Sequence, residues 1–134
     1  MRKIIWDPSF SVGVDELDGH HQHLGVLINR LAEHIRSPGD GGAVGDILIE
    51  LADYAIYHFR HEELMMARHG FPQLASHRAE HLQFCEMVAE LSYGATLGIV
   101  DLSQLFAFLT RWWACHILQE DMKYKPFLTV EPVS

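Results

Sequence analysis

Several things are scarce in this chain of 134 residues, and each shortage sets a class of function aside. There are only two cysteines, Cys85 and Cys115, and no CxxC pair, so neither a disulfide framework nor a thiolate metal site is expected. They read instead as two small buried hydrophobes in a reducing compartment. No apolar run approaches the roughly 18 residues of a membrane-spanning helix. The opening "MRKIIWDPSF" loses its apolar character at Asp7 and Pro8, too soon for a secretory leader. The expectation is a soluble, cytoplasmic protein without a membrane role. Basic residues are few: ten Lys and Arg face 18 Asp and Glu, a net charge of −8, with no basic cluster. Sustained attraction to a phosphate backbone is therefore not expected, and nucleic acid is set aside as a partner. No strand-like alternation, internal repeat or low-complexity stretch is evident.

What the chain does have is a 49% hydrophobic content, enough for one core, and ten histidines. Residues 1–17, with Trp6, Pro8, Phe10 and Gly13, lack a helical period and read as an irregular arm. Four helical patterns follow at about 18–36, 43–69, 72–93 and 101–125. Asp18 is the expected N-cap of the first, and "SPGDGG" its stop. Gly70 and Pro72 end the second, "GATLG" follows the third, and Asp101 with Gln104 resembles a capping box for the fourth, which should stop before Pro126. Four long helices with short connections make one all-α domain over 1–134, an antiparallel up-down four-helix bundle carrying an N-terminal arm.

The histidines fall on the inward stripes of these helices. Helix two repeats at Leu51, Ala55, His58, Glu62 and Met65, helix three at Leu74, His77, His81, Phe84, Val88 and Leu91, and helix four at Leu102, Leu105, Leu109, Trp112 and His116. A single histidine on an apolar face is usually a satisfied core residue. Five metal-competent groups on three stripes are another matter, because burying them costs free energy unless something binds them. "HFRHE" and "HRAEH" place donors one turn apart on one face. The set exceeds the four ligands of zinc and suits two six-coordinate ions. A ferritin-like di-iron site is disfavoured, because no Glu is followed three residues later by His.

Two positions stay open on periodicity alone. The apolar face of helix one (Leu24, Leu27, Ile28, Leu31, Ile35) lies about 35° from His20, about 65° from His21 and about 95° from His23. Asp121 lies about 140° from His116 on a regular helix, whereas Glu120 falls on the proper face. A π-type widening would be needed to turn Asp121 inward.

Taken in order, "WDPSFSVGVDELDGHHQHL", "YAIYHFRHEELMM", "HRAEH" and "WWACHILQED" resemble the hemerythrin family, and in particular its single-domain bacterial members, over nearly the whole chain. The resemblance implies a non-haem di-iron centre that binds O2 reversibly, for storage, transport or scavenging, without catalytic turnover. One iron would take His77, His81 and His116, the other His21 and His58, with Glu62, Asp121 and an oxo or hydroxo group between them. The second iron is then one ligand short, and O2 would bind there. The family register selects His21 over His20 and Asp121 over Glu120, and leaves His23 to solvent, Glu63 as an exposed companion of Glu62, and His34, His61 and His69 outside the pattern. Leu24, Phe59, Trp112, Trp113 and Ile117 would line an apolar O2 pocket. Trp113 stands where the family often has Leu, and its bulk is expected to narrow that pocket or alter a ligand tunnel. The same centre could instead serve a redox enzyme or a sensor of O2, NO or redox state.

Overall fold

A computed structural model describes residues 2–38 and 43–129. Its helices are α1 (Asp15–Arg36), α2 (Val44–Arg68), α3 (Leu74–Thr96), α4 (Leu102–Cys115) and α5 (Met122–Leu128), the last two joined by a π-helical turn, His116–Asp121. No strand occurs among the described residues. α1 packs on α2 and α4, and α3 on the other side of the same two helices, so the α4–α5 rod closes a ring of four in up-down order. This is the four-helix bundle that the stripes imply.

The element ends differ from the sequence expectation for identifiable reasons. α1 begins at Asp15, with Val14 as N-cap, and not at Asp18. Asp15, Glu16 and Asp18 crowd its first turn, where the helix dipole favours anions. Asp18 caps the arm instead of its own helix: its carboxylate accepts from Ser11 Oγ at 2.6 Å and from the Val12 N–H at 2.8 Å. α2 stops at Arg68 through a Schellman motif in which Phe71 N–H donates to Met66 O and Gly70, at φ +66°, donates to Ala67 O. The same motif ends α3 three residues later than expected, because the stopping glycine is Gly98 (φ +75°) and not Gly94. Gly94 lies inside the helix, where a Cβ would come within 2.5 Å of Val100 Cγ2. Pro72 precedes α3, whose first residue is Leu74. Asp101 does cap α4, accepting from Ser103 N–H at 2.9 Å. The rod continues through Pro126 to Leu128, since Tyr124 and Leu128 bury against Val12, Leu17, Met66 and Phe71 and override the missing donor. Residues 39–42, most of the expected stop after α1, and the tail from 130 lie outside the described residues.

Two apolar layers result. The larger holds Leu27, Leu31, Leu51, Leu105 and Leu109, and the smaller holds Val12, Leu17, Met66, Phe71 and Tyr124. The arm seals the larger one with Ile4, Trp6 and Phe10. Asn29 pins it by accepting from Ile4 N–H at 2.8 Å and donating to Ile4 O at 2.9 Å. Between the layers, each of the four rods turns polar side chains inward.

Candidate metal centre

That polar layer contains His21 from α1, His58 and Glu62 from α2, His77 and His81 from α3, and His116 and Asp121 from the π-helical turn, all buried. Glu62 is fully enclosed, and its two oxygens face different ways. Oε1 lies 2.9 Å from His77 Nε2 and 3.0 Å from His81 Nε2, while Oε2 lies 3.2 Å from His58 Nε2 and 3.3 Å from His21 Nε2. Asp121 repeats the division: Oδ1 is 3.0 Å from His77 Nε2 and 3.1 Å from His116 Nε2, and Oδ2 is 3.1 Å from His21 Nε2. One donor set therefore has three imidazoles and the other two, with both carboxylates between them.

The donors fit metal ions better than they fit one another. His81 Nε2, His116 Nε2 and both Asp121 oxygens are buried with no hydrogen-bond partner, although the carboxylates are only about 3 Å away. Atoms that approach so closely without hydrogen-bond alignment point their lone pairs at common third points. Neighbouring donors about 2.1 Å from an octahedral ion lie about 3.0 Å apart, the spacing found here.

The π-helical turn brings Asp121 inward. Met122 N–H reaches back to Ile117 O, five residues earlier, and the extra residue rotates position 121 onto the face of His116. Glu120 is left outside, paired with Lys123 at 3.0 Å. On α1, His21 enters the layer and His20 stands behind it, with Nδ1 2.9 Å from Nδ1 of His58. His23 is exposed against Tyr54. His61 pairs with Glu16 at 2.9 Å, and His69 lies 2.9 Å from Met65 O.

Supporting residues surround the layer, and sequence reasoning missed most of them. Glu63, expected to be exposed, is largely covered and holds His81 Nδ1 at 2.8 Å while accepting from Arg78 at 3.1 Å. Such a carboxylate fixes the imidazole's tautomer and leaves Nε2 free. Tyr124 donates its hydroxyl to Glu62 Oε2 at 2.8 Å. It lies three residues after Asp121, and that helical spacing was its only signal in the sequence. Of the residues expected around an O2 pocket, Phe59 stacks on His81 (centroids 3.9 Å) and Trp112 on His116 (4.3 Å). Leu24 and Ile117 are buried in the apolar layer above. Trp113 turns elsewhere: its ring meets Phe10 at 4.7 Å and Trp6 at 6.3 Å, and its indole N–H donates to His21 O at 2.9 Å. Its bulk is taken up by the arm.

The matching family is described as the hemerythrin HHE cation binding domain, over residues 12–128. The chain belongs to the hemerythrin family. The bacteriohemerythrin of Stenotrophomonas maltophilia is 30% identical over 125 residues, covering 92% of this chain and 80% of its own. A hemerythrin-like protein of Naegleria gruberi is 34% identical over 123 residues, 92% of each chain. A crystal structure of wild-type hemerythrin superposes with a TM-score of 0.83 at 26% identity, covering 96% of this chain and all of that one. Family and fold together make this a di-iron helical-bundle protein. No helix among the described residues is long and apolar enough to cross a membrane.

The charges of the hemerythrin layer yield a measurable consequence. Burial alone would pull His21 and His77 down. The carboxylates of Asp121 and Glu62, about 3 Å from these imidazoles, outweigh it and carry them up to about 9 and about 10. Burial pushes His58 down. Burial and the facing Glu62 would raise Asp121, but the histidines around the two carboxylates hold both below their ordinary range. At pH 7 the metal-free protein thus carries protons on His21 and His77, and metal loading must expel them. Calorimetric titration with ferrous iron at pH 7, in buffers of differing ionisation enthalpy, should report release of at least about two protons per chain, those of His21 and His77 together with any lost by a water that becomes the hydroxo group. The imidazole share of that release should fade as the pH rises through about 9 and then about 10. A slope of zero at pH 7 would contradict this charge assignment.

Proposed function

We propose that this hemerythrin binds O2 reversibly at a pair of iron ions held by His77, His81 and His116 on one side and His21 and His58 on the other. Glu62 and Asp121, each with one oxygen toward either set, would be held in common by the two ions, and an oxo or hydroxo group would complete the centre. The observation that carries this reading is the unequal division, three imidazoles against two, with each carboxylate turning one oxygen to each set. When bound, the iron pair supplies the redox chemistry by which O2 is taken up and released. The chain's own residues supply the rest. Phe59 and Trp112, stacked on two of the histidines, exclude water, and Leu24 and Ile117 extend that dry lining. Exclusion of water matters because solvent and protons favour irreversible oxidation over release. Tyr124 and Glu63 orient Glu62 and His81 without a proton to spare for the site.

A redox enzyme on the same residues is the second reading. One feature favours it: His20, packed against His58, lies 5.2 Å ring to ring from His61, which meets Glu16 near the surface. Polar groups therefore run from the site to solvent on that side.

Metal analysis and visible spectra separate the two. A carrier should hold two irons per chain and show a charge-transfer band that appears when O2 is admitted to the reduced protein and vanishes when it is removed. A single irreversible conversion to the oxidised spectrum would favour the enzyme, and protein expressed in iron-rich medium without iron would refute both.

A further inference from the structure

α2 has a second stripe, on the side away from the metal layer. Its inward stripe is Leu51, Ala55, His58 and Glu62. Ile49, Asp53, Ile56, Tyr57, Arg60 and Leu64 fall within about 100° on the opposite side. All six are exposed, Ile49 by 63%, Tyr57 by 54%, Leu64 by 49% and Ile56 by 40%. Large apolar side chains grouped on a helix face mark an interaction surface. Other charges near this face have partners within the chain: Glu50 with Arg30, Glu63 with Arg78 and His61 with Glu16. Among the described residues, Asp53 and Arg60 form no ion pair, although they sit at the centre of the stripe.

We propose that this face binds a second copy of the same chain, α2 against α2, antiparallel about a two-fold axis between Ile56 and Tyr57. The spacing is self-complementary. In that arrangement residues whose numbers sum to 113 share a level, so Asp53 meets the partner's Arg60 on the midline and Ile49 lies level with the partner's Leu64, while beside the axis Ile56 meets its own copy and Tyr57 its own. The Asp53–Arg60 pair occurs twice, as a two-fold interface requires. Both unpaired charges are thereby neutralised at the centre of an apolar seam about 22 Å long. Parallel pairing would set Asp53 on Asp53 and Arg60 on Arg60, so charge selects the antiparallel mode. The face is also hollowed, by a concavity lined by Asp53, Ile56, Tyr57, Arg60, His61 and Leu64 that can accept the opposing side chains as knobs. A single helix per protomer gives an area at the low end of specific interfaces, so the dimer is reversible and concentration-dependent. It stands independently of what the metal layer binds.

The test is analytical ultracentrifugation of the iron-loaded protein from micromolar to millimolar concentration. Wild type should show a monomer–dimer equilibrium. Ile56→Asp and Asp53→Arg should each raise the dimer Kd by about tenfold or more. The double charge swap Asp53→Arg/Arg60→Asp should return it close to wild type. All three positions are on the surface away from the metal layer, so circular dichroism and iron content should stay unchanged. A wild type that remains monomeric throughout, a dimer indifferent to Ile56→Asp and Asp53→Arg, or a double swap no better than the single would each overturn the proposal.

Discussion

Glu62→Ala should reduce bound iron from two ions per chain to one or none, the largest single effect expected on the centre. Among the described residues the carboxylate is the only group within about 3.3 Å of four histidines of the layer at once, and it also accepts from Tyr124. Losing a residue that merely orients a ligand costs about 10- to 100-fold in metal affinity. Glu62 is placed in both donor sets, so its loss should exceed that. The metal-free fold should suffer as well. Glu62 and Asp121 are the counter-charges for protonated His21 and His77, and removing one member of a buried charged group costs about 3–5 kcal/mol. Glu62→Gln separates the two effects. The amide preserves shape and one acceptor, so part of the stability should return. Its NH2 group still faces one histidine set, so iron should not reload fully. Urea denaturation of the metal-free proteins, with iron counted per chain, checks both expectations. An alanine variant that keeps two irons would remove Glu62 from the bridging role.

The extent to which this site could be read in advance depended on helix regularity. His58, Glu62, His77 and His81 lie on unbroken α-helices and His116 directly follows α4, so the apolar period and the ligand period coincide, and these residues stood out as polar interruptions of the stripe. Asp121 did not, because its position depends on one extra residue per turn, and nothing in "HILQED" announces a π-helical turn. The His20 and His21 ambiguity has a related cause: both are buried, one in the metal layer and one behind it, so burial pattern cannot separate neighbours on one helix. Asp18 was recognised as a cap, but the donors it satisfies belong to the arm, a long-range pairing that local rules do not address. Gly94 looked like a helix stop for want of information about Val100, which lies above it. The outer stripe of α2 escaped notice because its apolar residues are fewer and interrupted by charge.

The second large effect is expected from Trp113, whose work is structural. Trp113→Ala should destabilise the metal-free protein by about 3–5 kcal/mol, the cost of emptying a buried aromatic site. Total stabilities of about 5–15 kcal/mol leave little beyond that. The mechanism is specific to the arm. Trp6 and Phe10 lean on this ring, and Gly25 lets Ile4 approach so closely that a Cβ would lie 3.1 Å from Ile4 Cγ2 and 3.8 Å from Trp113 Cζ2. Without the indole the arm loses its apolar floor, and polar ties such as the Asn29 pairing with Ile4 and the Asp18 bonds to Ser11 and Val12 have to hold it. The same side chain reaches the metal layer through its N–H on His21 O, at the turn of α1 that presents the His21 imidazole. Iron should therefore dissociate faster from the alanine variant, even where it is fully loaded at the start. Trp113→Phe keeps an aromatic floor but removes the hydrogen bond and part of the ring's volume, so its cost should be about 1–3 kcal/mol, below that of alanine, with the arm still protected from protease. Unfolding by urea, limited proteolysis of the arm and chelator-driven iron release distinguish the variants. Were the alanine variant as stable as wild type, the arm would have no dependence on Trp113. If iron release were unchanged while stability fell, the link through His21 would be absent.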